Sequence, residues 1–213
     1  MDVSLIARGA LPLLLVAFFL VLMLWPVVRL RRDTGAWAIT LHRETAPGQR
    51  MLALGFLGIQ LGMVALVAVY ALRGPSALGV WSVPPGVTWL GLLLGFSGLA
   101  IVSLAQHQMG ASFRIGVDDE ETPLVENGLF AFVRNPIFTA LLVLLAGVAL
   151  AVPCVWSVLG WVAAAIAVRR QIRLEEGHLR AVHGGAYRAY AARVGRFLPG
   201  IGRLPQPTAR AKG

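Results

Sequence analysis

Two adjacent glutamates are the first residues in this sequence whose types and spacing could do chemistry. Glu175 and Glu176 follow the basic pair Arg169 and Arg170, at the point where a long apolar stretch ends. A carboxylate at a membrane boundary is costly unless a neighbouring charge or a function compensates for it. The glutamates could bind a cationic group, or they could form Arg/Glu pairs along the surface of a helix. The charge spacing alone favours surface pairs.

A metal site is a third use of the same residues. Glu175 and His178 have the Glu-x-x-His spacing that di-iron helical bundles use, but those proteins need the motif twice and further glutamates. The other histidines are His42, His107 and His183. We therefore predict no metal site and expect His178 and His183 to be solvated helix residues.

The composition places the chain in a membrane. Of its 213 residues, 57% are hydrophobic and 14% are charged, and the mean hydropathy is +0.73. This leaves too little polar side chain to cover a soluble globule.

The 19 Lys and Arg residues lie beside apolar runs and near the C-terminus without a nucleic-acid motif, which argues against nucleic-acid binding. Cys154 is the single cysteine, so we expect a packing residue and no internal disulfide.

Four apolar stretches could provide membrane helices, which need about 20 residues each to cross the hydrocarbon. They comprise residues 11–28 with an upstream extension at 5–7, then 51–72, 87–105 and 137–168. The first lacks a small-x-small cleavage pattern and should remain as a membrane helix. The fourth contains Pro153, which indicates either one kinked helix or two short helices in a hairpin. The spacings of Gly58 with Gly62 and of Gly91 with Gly95 fit close helix packing.

Charge placement distinguishes the two arrangements of residues 137–168. The first loop carries five arginines, the 73–86 connection carries only Arg73, and the segment after 168 carries nine arginines and Lys212. Only the hairpin puts the basic segments on one side of the bilayer, as cytoplasmic loops require. We therefore predict an all-α, polytopic membrane helical bundle with about five transmembrane helices. The N-terminus would be outside and the C-terminus inside, in a bacterial inner (plasma) membrane.

Three regions follow from this organisation. Residues 1–105 would form a three-helix membrane region, and residues 106–204 a second region that contains the hairpin at 137–168. Residues 169–194 are predicted as an amphipathic helix on the anionic leaflet, interrupted by Gly184 and Gly185. Residues 205–213 would be a disordered tail. The polar segment 106–136 would be a solvated loop, acidic at Asp118, Asp119, Glu120, Glu121 and Glu126.

Three stretches near the predicted cytoplasmic face form an ordered pattern. They are Met-Gly-Ala-Ser-Phe-Arg-Ile-Gly at 109–116, a segment at 122–138 that ends in Arg-Asn-Pro-Ile-Phe, and Glu-Glu-Gly-His-Leu from 175 followed by His-Gly-x-x-Tyr-x-x-Tyr-x-x-x-Val-x-Arg-Phe-x-Pro. With these residues the sequence resembles the isoprenylcysteine carboxyl methyltransferase family, within the wider group of membrane phospholipid methyltransferases. The resemblance covers roughly residues 100–204.

The resemblance implies a site for S-adenosylmethionine at the cytoplasmic face, between the segment before the hairpin and the helix after it. Carried over position by position, the cofactor contacts would be Leu124, Val125, Phe130, Arg134, Asn135, Pro136, Ile137, Phe138, Glu175 and Glu176. A carboxamide can donate and accept hydrogen bonds, phenyl rings offer aromatic surface, and a carboxylate can pair with the cationic amino group. Arg134 equally fits an anchor for lipid phosphates at a helix end.

The sequence departs from the family pattern at two positions. Asn135 stands where the family usually has His, which removes a titratable group but keeps hydrogen bonding. Gln171 stands where the family has a substrate-orienting arginine, four residues before Glu175. Arg170 or Arg173 would have to substitute, and we predict these two arginines and Glu175 as the catalytic residues.

The resemblance implies an S-adenosylmethionine-dependent methyltransferase whose acceptor is a lipidic or prenyl-like small molecule from the bilayer. The abundance of arginine slightly favours a carboxylate acceptor, which needs a bidentate arginine and no general base.

One alternative is an NADPH-dependent membrane reductase of a sterol- or polyprenyl-like substrate, although no Gly-x-Gly-x-x-Gly is present. The other is a non-enzymatic scaffold or transporter-like bundle, but the spans lack buried charges for a permeation pathway. Membrane lipids are expected partners, and no obligate protein partner is evident.

Overall fold

The computed structural model describes residues 3–34, 47–110 and 123–205, with every regular element helical. The elements are α1 (Val3–Phe19), a π-helical turn (Leu20–Leu24), α2 (Trp25–Thr34), α3 (Pro47–Arg73), α4 (Pro85–Met109), α5 (Pro136–Ala151) and α6 (Val155–Arg193). The acidic run at 118–121, most of the 109–116 stretch and the tail after 205 lie outside the described residues.

Within the described residues, three helices are long and apolar enough to cross a membrane by length and composition. They span Val3–Arg29, Gly48–Arg73 and Pro85–Met109. They correspond to the first three predicted spans, and the prediction of an all-helical membrane bundle is confirmed. The two arms of the hairpin supply the remaining apolar helices, of which α5 has only 16 residues.

The chain turns at Pro153, as the charge distribution predicts. Helix α5 ends at Ala151 and α6 begins at Val155. The hydroxyl of Ser157 donates to the carbonyl oxygen of Val152 over 2.6 Å, and the backbone N–H of Trp81 donates to that of Pro153 over 2.8 Å. These bonds provide donors for carbonyl oxygens that would otherwise have no hydrogen-bond partner at the end of the helix. Cys154 is fully buried in this turn, as expected for a packing residue.

The structure has no helix boundary at residue 169. Helix α6 has 39 residues in all, and it continues past the end of the apolar run into the basic segment. The predicted amphipathic segment is therefore a continuation of the second hairpin arm. The predicted interruption lies at Gly184, whose φ of 49° and ψ of −113° kink the helix, whereas Gly185 stays helical.

Glycines let α4 and α5 cross closely. A Cβ atom on Gly147 would lie 2.4 Å from the backbone nitrogen of Gly95, and one on Gly91 would lie 2.4 Å from that of Ala151. The prediction of close packing at Gly91 and Gly95 is confirmed. A Cβ atom on Gly58 or Gly62 would meet nothing within 4 Å among the described residues, so the corresponding prediction for α3 is wrong for this bundle.

Candidate functional site

The segment before α5 and the end of α6 meet at one end of the bundle. We call this the basic end, because the exposed arginines Arg169, Arg170 and Arg173 lie there. A small apolar core joins the two segments, made of Tyr187, Tyr190, Ala191 and Val194 with Leu124, Leu179 and Leu204. The hydroxyl of Tyr190 donates to the carbonyl oxygen of Phe130 over 2.7 Å. The kink at Gly184 sets the direction of the last turns of α6, which carry both tyrosines.

A buried carboxylate with three arginines lies beside this core. Glu176 accepts from Arg134 over 3.1 Å, from Arg196 over 2.5 Å and from Arg180 over 3.3 Å. The side chains of Arg134 and Glu176 are each 1% exposed. Burial raises the pKa of Glu176, but hydrogen bonds from Arg196 and Arg134 outweigh it and lower the pKa below its usual range. Glu176 is therefore an ionised structural partner of the arginines.

The guanidinium of Arg134 also donates hydrogen bonds to backbone carbonyl oxygens. Its Nη1 donates to the carbonyl oxygens of Ala191 and Val194 over 2.9 and 2.6 Å, and its Nη2 donates to that of Gly202 over 3.1 Å. One guanidinium thus ties the start of α5 to the end of α6 and to the chain beyond it. The predicted anchor for lipid phosphates is wrong for Arg134, because the side chain is buried among protein oxygens.

Glu175 has a different environment, because one residue step turns a helix by about 100°. Its Oε1 accepts a hydrogen bond from Gln171 over 2.9 Å, and its side chain is partly buried. Burial raises the pKa of Glu175 to about 7, against the hydrogen bond from Gln171, and the charge of Glu176 raises it further. Glu175 makes no ion pair with any arginine that the structure describes. A carboxylate with such a perturbed pKa is a candidate functional group.

Asn135 holds the chain after α6 against the start of α5. Its Nδ2 donates to the carbonyl oxygen of Arg196 over 3.1 Å. The hydroxyl of Thr139 lies 3.0 Å from the carbonyl oxygen of Asn135 and 3.2 Å from that of Phe197. The side-chain amide of Asn135 is therefore engaged with the backbone that follows α6.

The structure distributes the predicted cofactor contacts over three environments. Leu124 and Phe130 belong to the small apolar core or border it, and Pro136 is buried at the first turn of α5. Arg134 and Glu176 bind each other. Partly buried positions that keep some exposed surface are Val125, Asn135, Ile137, Phe138 and Glu175.

An open cleft between α5 and α6 was not predicted from the sequence. It has a volume of about 500 Å³, and its lining includes Leu142, Trp161, Ile166, Thr139, Phe197 and Arg169. Arg169 is the single charged residue in the lining, and it makes no hydrogen bond or ion pair with the described residues. Arg170 and Arg173, the predicted acceptor-binding residues, are exposed and do not line the cleft.

Polar residues at the end of α4 were also missed. Gln108 accepts a hydrogen bond from the backbone N–H of Leu129 over 2.8 Å, and Gln106 donates to the carbonyl oxygen of Leu22 over 3.3 Å. A nitrogen of His107 lies 2.9 Å from Nη1 of Arg29. The Gln108 contact positions the 3-10 turn Gly128–Ala131 against α4, whereas the other two join α4 to the π-helical turn and to α2. Three polar residues in a row at the end of an apolar helix are the only sequence signal for them.

Comparison with known proteins agrees with this geometry. Residues 87–186 match the model of the phospholipid methyltransferase family. No curated protein matches the chain. The matched segment includes most of α4, the 123–135 segment, α5 and most of α6, and thus both Arg134 and Glu176. The predicted resemblance to the wider group of membrane phospholipid methyltransferases is confirmed over these residues.

Proposed function

We propose that this protein is an S-adenosylmethionine-dependent methyltransferase that modifies a lipidic acceptor at the basic end of the bundle. One observation carries the proposal. The family match covers both stretches that the resemblance assigns to the cofactor, and the buried Arg134–Glu176 pair holds these stretches together. The proposal includes an orientation with the basic end in the cytoplasm, since basic segments collect there.

The residues that keep accessible surface fit this cofactor. Glu175 offers a carboxylate without a cationic partner among the described residues, and it suits the ammonium group of the amino-acid moiety. Val125, Ile137 and Phe138 offer apolar and aromatic surface in the other stretch, which the Arg134–Glu176 pair holds against α6. When bound, S-adenosylmethionine supplies a methyl group on a sulfonium sulfur.

The buried cluster would act by positioning. Displacement at a methyl carbon is in line, so the protein has to hold donor and acceptor in one geometry and exclude water. Arg134 fixes the start of α5 relative to α6, and Asn135 and Thr139 fix the 196–197 backbone against the same helix end. These contacts hold Ile137, Phe138 and Glu175 on rigid elements.

The cleft between α5 and α6 is the acceptor path in this proposal. Its walls are mostly apolar, as a lipid tail requires. Arg169 is the one charged residue among the described residues that line it, and it has no hydrogen-bond or ion-pair partner in the described part of the chain. An arginine can hold a carboxylate bidentately, and methylation of a carboxylate needs no general base. Arg169 therefore replaces Arg170 and Arg173 as the proposed acceptor-orienting residue.

Ligand-dependent melting tests the cofactor. Purified protein in detergent would be heated with S-adenosylmethionine, S-adenosylhomocysteine or NADPH, because a ligand that binds the folded state raises the melting temperature. We expect a shift with both sulfur compounds and none with NADPH. Glu175→Gln should reduce the shift, while Glu126→Gln should not, since Glu126 pairs with the exposed Arg193. No shift with either sulfur compound at millimolar concentration would refute the cofactor.

Transfer of a labelled methyl group tests the acceptor path. The protein in membranes would receive S-adenosylmethionine labelled in the methyl group, and the lipid fraction would be counted. We expect Arg169→Gln to lower incorporation at least tenfold while cofactor-induced melting stays unchanged. Arg188→Gln removes an exposed charge outside the cleft and should leave incorporation unaffected. Equal losses in the two variants would contradict the path.

A further inference from the structure

The middle of α3 carries a side-chain amide that has no hydrogen-bond partner within the described ranges of the chain. Gln60 lies thirteen residues from Pro47 and thirteen from Arg73, at the centre of the helix. At 1.5 Å per residue it is about 20 Å from either end, and so near the middle of a hydrocarbon core about 30 Å thick. Its side chain is partly exposed, and it forms no hydrogen bond with any part of the chain that the structure describes.

A carboxamide at this depth needs a partner. The hydrocarbon offers no hydrogen bonds, so an unsatisfied polar group is strongly disfavoured there. The rest of α3 gives no reason for a polar residue, since it is the least buried of the three long helices and its neighbours Leu57 and Leu61 face outwards. Exposed leucines are satisfied by lipid tails, whereas the amide is not.

We propose that α3 forms a contact between two copies of this chain, in which the Gln60 side chains hydrogen-bond to each other. Two copies inserted in the same direction are related by a two-fold axis along the membrane normal. Each residue near that axis then meets its own counterpart at the same depth. A carboxamide is self-complementary because it both donates and accepts, so a Gln60 pair makes two hydrogen bonds.

The residues around Gln60 fit a helix pair. Ala53, Leu57, Gln60 and Val64 recur at intervals of four, three and four, the spacing of a left-handed helix–helix seam. All four are partly or fully exposed, and the seam ends at Val67, which is 3% exposed inside the bundle. The contact therefore extends from Gln60 towards the Pro47 end of α3. It lies outside the proposed cleft and site, so it does not rest on the proposed activity.

Cysteine cross-linking tests the seam in the membrane. In a Cys154→Ala background, Gln60→Cys should form disulfide-linked dimers under mild oxidation. Gly62→Cys is the matched control, because it lies at nearly the same depth, about 200° around the helix, and its Cβ atom meets nothing within 4 Å. Cross-linking at 60 and not at 62 is the expected result. Stronger cross-linking at 62, or none at 60, would overturn the proposal.

Self-association in vesicles tests the hydrogen bonds. Donor- and acceptor-labelled protein in vesicles of phosphatidylcholine and phosphatidylglycerol would be followed by energy transfer as the protein density is varied. Gln60→Leu should raise the dissociation constant about tenfold, in the range measured for interhelical polar bonds in membranes. Gln60→Asn keeps the carboxamide and should retain more association than Gln60→Leu. Monomeric wild-type protein at every density, or unchanged association in Gln60→Leu, would overturn the proposal.

Discussion

The guanidinium of Arg134 lies 3.1 Å from the carboxylate of Glu176, although the two residues are 42 positions apart, Arg134 just before α5 and Glu176 on α6. Both are buried, and the same carboxylate also binds Arg196, which follows α6. The pair therefore connects the three stretches of chain that build the basic end. Its loss should affect the whole site rather than one contact.

Removing the carboxylate should destabilise the protein strongly. Glu176→Gln leaves Arg134 charged and buried without a counter-ion, and breaking such a pair costs about 3–5 kcal/mol of the free energy of unfolding. Glu126→Gln is the matched control, because its ion pair with Arg193 is exposed and contributes less than about 1 kcal/mol. Denaturant unfolding in detergent measures both changes. Similar losses in the two variants would contradict the buried cluster.

Cofactor binding should depend on the ionisation of Glu175. Its folded-state pKa of about 7 lies above the ordinary 4.5, so without ligand its contribution to stability falls as the pH rises from about 4.5 through 7. A cationic ligand group favours the ionised carboxylate, so binding should strengthen over the same rise in pH. We expect the affinity for S-adenosylhomocysteine to increase about fivefold between pH 6 and 7. In Glu175→Gln this pH dependence of the affinity should disappear. If it persists in that variant, a group other than Glu175 causes it.

The kink in α6 offers a comparison of neighbouring glycines. Gly184 has a φ of 49°, which an L side chain adopts only at a cost of about 1–2 kcal/mol, while Gly185 is helical. A Cβ atom on either would meet nothing within 4 Å among the described residues, so sterics with neighbours play no part. Gly184→Ala should lower the melting temperature, and Gly185→Ala should leave it unchanged or raise it slightly. Equal effects would place the kink elsewhere.

The crossing of α4 and α5 can be tested in the same way. Gly147→Ala places a methyl group 2.4 Å from the backbone nitrogen of Gly95 and 2.6 Å from the carbonyl oxygen of Gly91. Backbone atoms cannot rotate away, so the helices must separate, at a cost of about 1–3 kcal/mol or more. Gly58→Ala fills open space on α3 and should be nearly neutral. Unfolding in detergent compares them, and a stable Gly147→Ala protein would rule out the close crossing.

The membrane fold was predictable because the bilayer constrains the sequence directly. Each span needs a run of apolar residues of fixed length, and basic residues between runs report the side of the membrane. These two rules give the three long helices and the turn at Pro153. They do not reveal that α6 continues past residue 169. An apolar run ends at the edge of the bilayer, whereas a helix can extend beyond that edge.

The site was predictable only as two stretches of sequence that must meet. Position by position, the resemblance placed Arg134, Asn135, Glu175 and Glu176 in one site, and the structure brings their segments together. The resemblance could not show which of these residues have structural roles and which remain available to a ligand. Adjacent glutamates point about 100° apart on a helix, so only the packed structure decides that Glu176 binds the arginines while Glu175 keeps an accessible carboxylate.

By itself, then, the sequence determined a helical membrane bundle with a hairpin and a resemblance to membrane methyltransferases, because hydrophobic length, charge asymmetry and ordered motifs are local properties of the chain. The tertiary structure alone decided that Arg134 and Glu176 are paired inside the protein, that Arg169 faces an open cleft, and that Gln60 has no hydrogen-bond partner among the residues that the structure describes. Each of these depends on distances between residues far apart in sequence, and such distances are set by how the helices pack.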